Sequence, residues 1–217
     1  MMFSATHIGR EHVRLGRNNQ DGHFASSSVI VVTDGCGSQP QCEVGAQLGA
    51  RFMGEWLTSQ KTIDETTPEK AFIALCEFIA TTARAMGGDL RDVLERYFLF
   101  TVQAAVRIGE QVLVFGMGDG AVLMDDRLVR MASYDNAPNY CTYRLTSPGE
   151  HPAEVHHFGP ASKVAVMSDG FNALDPVRLR ALIDLQASKN PLTLQRRLNV
   201  LSETERFTDD ATIAVLP

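Results

Sequence analysis

The sequence lacks the features that would place the protein in a membrane or outside the cell. None of its apolar runs approaches the roughly 20 residues that a membrane-spanning helix needs. The first residues, MMFSATHIGREH, contain no apolar stretch of the kind that an export signal requires. We therefore expect a cytoplasmic location and no membrane partner.

Positive charge and cysteine are also in short supply. Lys and Arg number 20 against 26 Asp and Glu, for a net charge of −6. Nucleic-acid binding depends on clustered Lys and Arg, so we exclude nucleic acid as the principal ligand. The four cysteines form no C-x-x-C pair, which argues against a zinc site, and we expect them to be reduced. The six histidines show no ligand spacing either, so we do not expect histidine ligands.

Two nucleotide-binding signatures are absent as well. Neither G-x-G-x-x-G nor G-x-x-x-x-G-K follows any predicted strand, which disfavours dinucleotide and P-loop folds. No internal repeat or low-complexity linker divides the chain. The length suits one substantial core better than two full domains, so we expect a single domain over residues 1–217.

Apolar patterning predicts strands and helices that come in blocks. Strands are expected over 3–9 and 28–35, in four segments between 97 and 131 that indicate an antiparallel meander, and over 163–168 and 211–216. Helices are expected over 43–60, 67–86, 89–96, 175–185 and 192–202. One further strand is expected within the irregular segment 133–160. Blocks, rather than strict alternation, favour an α+β layered sandwich over a doubly wound parallel sheet.

The helix predicted over 43–60 carries an apolar stripe. Its members recur every four residues: Val44, Leu48, Phe52 and Trp56. Residues at this spacing lie on one face of a helix. We therefore expect these four side chains to face the core.

Acidic residues stand at the ends of apolar runs. Asp-Gly dipeptides begin at Asp21, Asp34, Asp119 and Asp169, and the pair Asp209-Asp210 opens the last apolar run. Asp-Gly between apolar runs is the strongest short-range hairpin signal, so each dipeptide also has an ordinary explanation as a turn. That explanation fits Asp119 best, because strands are expected on both sides of it.

The turn explanation is weaker for Asp34 and Asp169. Each follows a near-continuous apolar strand and precedes a helix or a long connection. A carboxylate at the end of a buried strand must be paired or desolvated, and several at one site repel one another unless a cation is present. Because Lys and Arg are scarce around these motifs, Mg²⁺ or Mn²⁺ is the natural counter-charge.

Five blocks of sequence resemble the type 2C protein phosphatases, the metal-dependent Ser/Thr phosphatases of the PPM family. They are RNNQD at 17–21, VVTDGCGSQPQCEVGAQLGA at 31–50, VFGMGDGAVL at 114–123, VAVMSDGF at 164–171 and TDDATIAVL at 208–216. All five appear in the family's order and span nearly the whole chain. The resemblance, to compact bacterial members in particular, implies a four-layer α/β/β/α sandwich of two central antiparallel sheets flanked by helices. It also implies a two-metal site at one end.

The resemblance gives the acidic positions roles as metal ligands. Asp34 would bridge two Mg²⁺ or Mn²⁺ ions, and the Gly35 carbonyl would bind the second ion. Asp169 and Asp209 would complete the shell of the first ion. Two such ions activate a water for in-line attack on phosphorus, so the resemblance requires no side-chain nucleophile.

Two more acidic positions follow from the same resemblance. Asp21 would orient metal-bound water from within or just outside the metal shell. Asp119 matches a residue that, in bacterial members, helps to hold a third metal. The candidate catalytic residues are thus Asp21, Asp34, Asp169 and Asp209, with Asp119 as an additional metal ligand.

The match is imperfect where the substrate phosphate is handled. Many members carry an Arg five residues before the first-motif Asp, where this chain has Gly16 with Arg14 and Arg17 nearby. We take Arg17 as the candidate phosphate ligand, against the alternative of an ordinary surface charge. Where some members carry a His that protonates the leaving group, this chain has Cys36, which we interpret as a small apolar filler.

Segment 133–160 is short beside members with a flap subdomain. The resemblance therefore implies a reduced flap and selectivity for a particular protein partner.

The leading hypothesis is a metal-dependent phosphatase for phosphoserine and phosphothreonine. Its substrate would be a phosphoprotein in a bacterial-type signalling circuit, opposed by a Ser/Thr kinase. The displaced Arg and the missing His keep open a pseudophosphatase or regulatory phosphoprotein-binding module with the same fold. A relative of the sporulation-type phosphatases that act on anti-anti-sigma factors is a third possibility.

Overall fold

The structure, a computed structural model, describes residues 2–133, 137–147, 149–185 and 188–216. Within these residues ten strands form two antiparallel five-stranded sheets. Sheet 1 contains β1 (Phe3–His7), β6 (Gly120–Met124), β7 (Arg127–Met131), β9 (Val164–Met167) and β10 (Ala211–Leu216), in the order β1-β10-β9-β6-β7. Sheet 2 contains β2 (Asp21–Ala25), β3 (Val29–Gly35), β4 (Phe100–Ile108), β5 (Gln111–Met117) and β8 (Glu154–Pro160), in numerical order.

Seven helices occur in the described residues. They are α1 (Arg10–Leu15), α2 (Cys42–Thr58), α3 (Thr67–Met86), α4 (Leu90–Tyr97), the single turn α5 (Tyr143–Thr146), α6 (Pro176–Ile183) and α7 (Thr193–Thr204). Apolar residues of α2, α3 and α4 form one core with sheet 2, and those of α6 and α7 form another with sheet 1. A third core lies between the sheets. The predicted four-layer α+β sandwich is therefore confirmed.

Strand β3 shows why its sequence is apolar without interruption. Successive side chains of a strand point to opposite faces of the sheet. Val29 and Val31 belong to the core under α2 and α3, whereas Ile30 and Val32 belong to the core between the sheets. Both faces are buried, so every position in this part of the strand is apolar.

The expected meander is wrong at Asp119. Strands β4 and β5 pair in sheet 2, and β6 and β7 pair in sheet 1. The chain thus crosses from one sheet to the other between Met117 and Gly120 and makes no hairpin there. The short helix α1 and the strand β2 were not predicted, because neither carries a long enough apolar pattern.

The expected stripe on α2 is wrong for its first two members, whereas Phe52 and Trp56 are partly buried against the core with sheet 2. Val44 and Leu48 are 38% and 40% exposed. The face that packs on sheet 2 is made mostly of small residues, with Ala46 and Ala50 fully buried and only Met53 and Leu57 as larger apolar members. This packing is tight: a Cβ added at Gly49 would lie 2.5 Å from the Phe100 ring. Small side chains let the helix approach the sheet closely, and the larger apolar residues are left at its edge.

The segment 133–160 contains two elements among its described residues, α5 and β8. Strand β8 is the further strand expected there, and it pairs with β5 through an irregularity between Val114 and Phe115. Part of the expected flap, residues 134–136 and 148, lies outside the described residues. The single domain with a reduced flap stays a prediction.

No single helix in the described parts of the chain is long and apolar enough to cross a membrane. Helices α3 and α4 reach that length and composition only as a pair, and the pair is bent by 116°. The buried face of α3 packs into the core with sheet 2.

Candidate metal centre

Three of the predicted acidic residues meet at one end of the sandwich. Asp34 is the penultimate residue of β3, Asp119 lies in the crossing between the sheets, and Asp169 opens a 3-10 turn that follows β9. Each offers a carboxylate oxygen within 4.8 Å of the others. The sheets therefore bring together three residues that are far apart in the sequence, one at the end of a strand and two in connections.

Asp21 lies beside this group. It faces Asp34 in the register of β2 and β3, which places the two side chains on the same face of sheet 2. The Ser168 hydroxyl donates to Asp21 Oδ2 at 2.9 Å, whereas Asp21 Oδ1 is buried with no hydrogen-bond partner among the described residues. Burial, together with the negative charge of Asp210, raises the pKa of Asp21 to about 8.

The pKa values of two neighbouring carboxyls, Asp34 and Asp169, are raised as well. Burial raises the pKa of Asp34 well above its ordinary value, and the charges of Asp21 and Asp169 add to the effect. Burial and the charge of Asp119 raise the pKa of Asp169 to about 6. Asp169 Oδ1 is also buried without a partner in the described part of the chain. Buried oxygens without donors, in a crowd of like charges, are what a bound cation would satisfy.

The two glycines that follow Asp34 and Asp169 are explained by close backbone contacts. A Cβ at Gly35 would lie 2.6 Å from the Gln20 carbonyl oxygen, and one at Gly170 would lie 2.1 Å from the Asp210 carbonyl oxygen. No larger side chain fits without moving the backbone. The Asp-Gly motif here thus reflects segments packed around the centre, and the Gly35 carbonyl remains a predicted metal ligand.

The pair Asp209-Asp210 divides into two different environments. Asp209 is exposed and lines the same cavity as Asp34 and Asp169. Asp210 is buried, and its carboxylate accepts hydrogen bonds from the Gly9 amide at 2.7 Å and the Gln20 amide at 2.6 Å. The first Asp is therefore available to a ligand, and its role as a metal ligand stays a prediction, whereas the second holds the backbone of the N-terminal segment.

His12 is a residue of this region that the sequence did not reveal. It is buried in α1, lines the cavity, and places Nδ1 2.8 Å from Asp210 Oδ2. His12, Asp209 and Asp210 form a second group of ligand-type atoms within 4.8 Å. Nδ1 of His12 and both oxygens of Asp210 already take part in hydrogen bonds, so we interpret the pair of His12 and Asp210 as a structural clamp. Nothing in the spacing of His12 and Asp210, 198 residues apart, could have indicated the contact.

The cavity at this centre has a volume of about 340 Å³ and one candidate for phosphate binding among its basic residues. Arg17 lines it and donates to the Gly37 carbonyl. Arg14 instead pairs with Glu11 at 2.5 Å. Cys36 also lines the cavity and packs against the small cluster of Cys42, Leu99 and Tyr140, as the filler interpretation expects.

Comparison with known proteins gives the class to which this fold and centre belong. A family model described as Protein phosphatase 2C matches residues 8–209. The chain therefore belongs to the protein phosphatase 2C family. No curated protein matches the sequence significantly.

Solved structures of bacterial phosphatases share the fold. A bacterial serine phosphatase is 13% identical with a TM-score of 0.66, over 99% of this chain and 96% of that chain. The Mycobacterium tuberculosis serine/threonine phosphatase PstP/Ppp is 18% identical with a TM-score of 0.66, over 99% and 97%. The catalytic domain of PstP in complex with two manganese ions is 14% identical with a TM-score of 0.58, over 99% and 96%.

Proposed function

We propose that the protein is a Mg²⁺- or Mn²⁺-dependent phosphatase that hydrolyses phosphoserine and phosphothreonine in a phosphoprotein. The observation that carries the proposal is the meeting of Asp34, Asp119 and Asp169 within 4.8 Å in a cavity. Family membership and the manganese-bound relative support the same chemistry. The proposed setting is a cytoplasmic signalling circuit in which a Ser/Thr kinase opposes the enzyme.

The residues present fit two hard divalent ions. The donors are carboxylate and carbonyl oxygens, which Mg²⁺ and Mn²⁺ prefer, and two buried carboxylate oxygens lack any other partner among the described residues. Asp34, Gly35, Asp169 and Asp209 would hold the two ions, and Asp119 would contribute to a third. When bound, such ions activate a water as the nucleophile and neutralise the phosphate oxygens.

The chain's own side chains would position the water and the substrate. The hydroxyl of Ser168 fixes one oxygen of Asp21 and leaves the other free to accept a hydrogen bond from water. Arg17 sits at the cavity, where its guanidinium can exchange the Gly37 carbonyl for a phosphate oxygen. Asp21 thus serves as the orienting acceptor and Arg17 as the phosphate clamp.

A direct test measures phosphate release from synthetic phosphopeptides and from p-nitrophenyl phosphate. We expect hydrolysis with Mn²⁺ or Mg²⁺, no hydrolysis after EDTA, and recovery when Mn²⁺ is restored. Phosphoserine and phosphothreonine peptides should be cleaved in preference to a phosphotyrosine peptide of the same sequence. Turnover that survives exhaustive EDTA treatment would refute the metal-dependent mechanism.

A phosphoprotein-binding module is the second candidate, and one observation favours it. The Arg17 guanidinium is engaged by the Gly37 carbonyl, and Cys36 offers no strong acid for the leaving group. Titration calorimetry with a phosphoserine peptide and Mn²⁺ separates the two candidates. Binding without phosphate release would select the module, whereas release of inorganic phosphate selects the enzyme.

A further inference from the structure

Two of the four cysteines face each other outside the metal centre. Cys76 lies in α3 and Cys141 shortly before α5, and their Sγ atoms are 3.3 Å apart. Both are buried, and all four cysteines are free thiols. A disulfide joins its sulfurs at about 2.05 Å, so an approach of roughly 1 Å would bring these two to bonding distance.

Of the two cysteines, Cys76 lies nearer to solvent. Cys76 is 7% exposed and lies on the wall of a surface cavity of about 660 Å³, whereas Cys141 has no exposed surface. Arg144 and Glu69 line the same cavity. The guanidinium of Arg144 is fixed there by two bonds to the Glu69 carboxylate, at 2.8 and 2.9 Å. Attack must therefore begin at Cys76, with Cys141 placed directly behind it.

The surroundings also favour the thiolate of Cys76. Its hydrogen bond with Cys141 lowers the pKa of the Cys76 thiol. The positive charge of Arg144 also lowers this pKa, whereas burial raises it by less than the hydrogen bond lowers it. The pKa of Cys141 is raised by the same hydrogen bond and by burial. Cys42 provides a contrast, because burial raises the pKa of its thiol to about 12. Thiolate character and access are the two properties that select a cysteine for oxidation.

We propose that Cys76 and Cys141 form an oxidation site for a small hydroperoxide. The Cys76 thiolate attacks the peroxide oxygen and breaks the O–O bond, which yields a sulfenic acid and, after proton transfer, releases water or an alcohol. The Cys141 thiol then attacks the Cys76 sulfur and expels water. Two thiols lose two electrons and two protons, the peroxide is reduced, and a dithiol reagent reverses the reaction.

The disulfide would connect α3 to a segment that lines the metal-centre cavity. Tyr140, the neighbour of Cys141, lines that cavity and packs edge-on against Tyr143, with ring centroids 5.4 Å apart. Movement of Cys141 toward Cys76 should displace Tyr140. Misplacement of about 1 Å near a reacting centre can reduce turnover by up to about 100-fold. This consequence rests on the proposed function, whereas formation of the disulfide does not.

Mass spectrometry tests the site itself. Reduced, EDTA-treated protein is exposed to hydrogen peroxide, its remaining thiols are alkylated, and the digest is searched for linked peptides. We expect a Cys76–Cys141 disulfide that disappears with dithiothreitol, while Cys42 is recovered alkylated. Cys76→Ala and Cys141→Ser should each abolish the linked peptide. Full alkylation of Cys76 and Cys141 after peroxide treatment would overturn the proposal.

A rate measurement tests the effect on the cavity. Cys36 lines that cavity, so the comparison is made within Cys36→Ser protein, oxidised against reduced, after catalase treatment and addition of Mn²⁺. We expect slower p-nitrophenyl phosphate hydrolysis after oxidation, recovery with dithiothreitol, and no change in Cys36→Ser/Cys141→Ser protein. A disulfide that leaves the rate unchanged would overturn the link to the cavity. Absence of hydrolysis in the reduced protein would instead count against the proposed function, and the mass spectra would still decide the disulfide.

Discussion

Two neighbouring regions bury carboxylates in opposite ways. Around Asp210, the buried carboxylate accepts hydrogen bonds from the Gly9 and Gln20 amides and contacts the His12 ring. Around Asp21 and Asp169, each side chain keeps one buried oxygen without a partner in the described residues. In the first, which we call the structural region, groups of the chain itself satisfy the buried carboxylate. In the second, which we call the ligand region, the buried carboxylate oxygens need a partner that the chain does not supply.

We call an aspartate whose carboxylate is hydrogen-bonded to other parts of the chain a structural acid, and one left available to a cation a ligand acid. The hydrogen bonds distinguish the two kinds better than the sequence context does. Asp209 and Asp210 are adjacent, yet Asp209 accepts only the amide of its neighbour Asp210, whereas Asp210 accepts the Gly9 and Gln20 amides of the N-terminal segment. At the far turn between β6 and β7, Asp125 likewise accepts from the Ser162 and Lys163 amides, at 3.1 and 3.0 Å. Loss of a structural acid should cost folding stability. Loss of a ligand acid should cost activity and relieve repulsion in the metal-free protein.

The largest effect should come from the ligand region. Asp34→Asn and Asp169→Asn each replace a charged oxygen by an amide nitrogen that cannot bind a cation. We expect kcat/KM to fall at least about 1,000-fold, or roughly 4 kcal/mol in transition-state stabilisation. The metal-free variants should be no less stable than the parent protein, because one of several repelling charges is gone.

Asp126→Asn is the matched control for these two variants. Asp126 lies in the β6–β7 turn, and its side chain is 99% exposed. We expect its hydrolysis rate to equal that of the parent protein. If Asp34→Asn and Asp169→Asn remained as active as Asp126→Asn, the assignment of the ligand region would be wrong.

The next largest effect should appear in the structural region. Asp210→Ala leaves the Gly9 amide, the Gln20 amide and the His12 ring without their acceptor. At about 1–3 kcal/mol for an unsatisfied buried group, we expect the free energy of unfolding to fall by roughly 3 kcal/mol. Urea denaturation of the metal-free protein measures this change.

The neighbouring variant Asp209→Asn is the comparison for Asp210→Ala. Asp209 is exposed, and its Oδ1 accepts only the Asp210 amide, a bond that an asparagine oxygen can keep. Its unfolding free energy should stay within about 0.5 kcal/mol of the parent value, while its turnover falls. Equal stability losses in the two variants would erase the distinction between the regions.

A smaller effect is expected at the rim of the cavity. Arg17→Ala removes the candidate phosphate clamp, and a charge-assisted hydrogen bond contributes about 1.5–3 kcal/mol. We therefore expect KM for a phosphoserine peptide to rise at least about tenfold with kcat little changed. Arg14→Ala, which disrupts only the pair with Glu11, is the control. Identical kinetics for the two variants would leave Arg17 as an ordinary surface charge.

The last effect concerns the pH dependence of stability without metal. The pKa values of Asp21 and Asp169 are raised to about 8 and about 6, so the folded state binds more protons than the unfolded state above pH 4. These groups therefore make the metal-free protein less stable as the pH rises from about 4 to about 8. Between pH 5.5 and pH 8 the two raised pKa values correspond to a loss of up to about 4 kcal/mol of stability, which we expect to appear as a drop in Tm of roughly 10 °C.

Asp21→Asn isolates that contribution. Calorimetry in EDTA should show a smaller loss of Tm on raising the pH in the variant than in the parent protein. Addition of Mn²⁺ should remove most of the pH dependence, because the cation satisfies the ionised carboxylates. An unchanged pH dependence in Asp21→Asn would show that Asp21 does not contribute.

Local patterns predicted an α+β layered sandwich and carboxylates gathered at the ends of buried strands. The two flanked sheets and the roles of the individual metal ligands came from the family resemblance, and the ligand roles stay predictions. Burial of β3 on both faces and the helix stop after α3 follow from nearest neighbours along the chain, and Asp34 and Asp169 stand where buried strands end. The packing of α2 could not be predicted in this way. Its buried face is chosen by the closeness of Phe100 to Gly49, a tertiary contact that no helical period encodes.

The structural region escaped prediction for the same reason. His12 and Asp210 are brought together by the pairing of β1 with β10, at the two ends of the chain. The crossing of the chain from sheet 2 to sheet 1 at Asp119 was likewise missed. Two apolar strands on either side of an Asp-Gly look the same in sequence whether they pair with each other or belong to different sheets. In each case the deciding contact joins segments that are distant in sequence.

The central claim is that divalent ions complete the ligand region. Anomalous diffraction from crystals soaked in Mn²⁺ tests it most directly. We expect two anomalous peaks in the cavity, both in contact with Asp34, with Asp169 and Asp209 around one of them. Density absent from this cavity, or found instead at His12 and Asp210, would contradict the account.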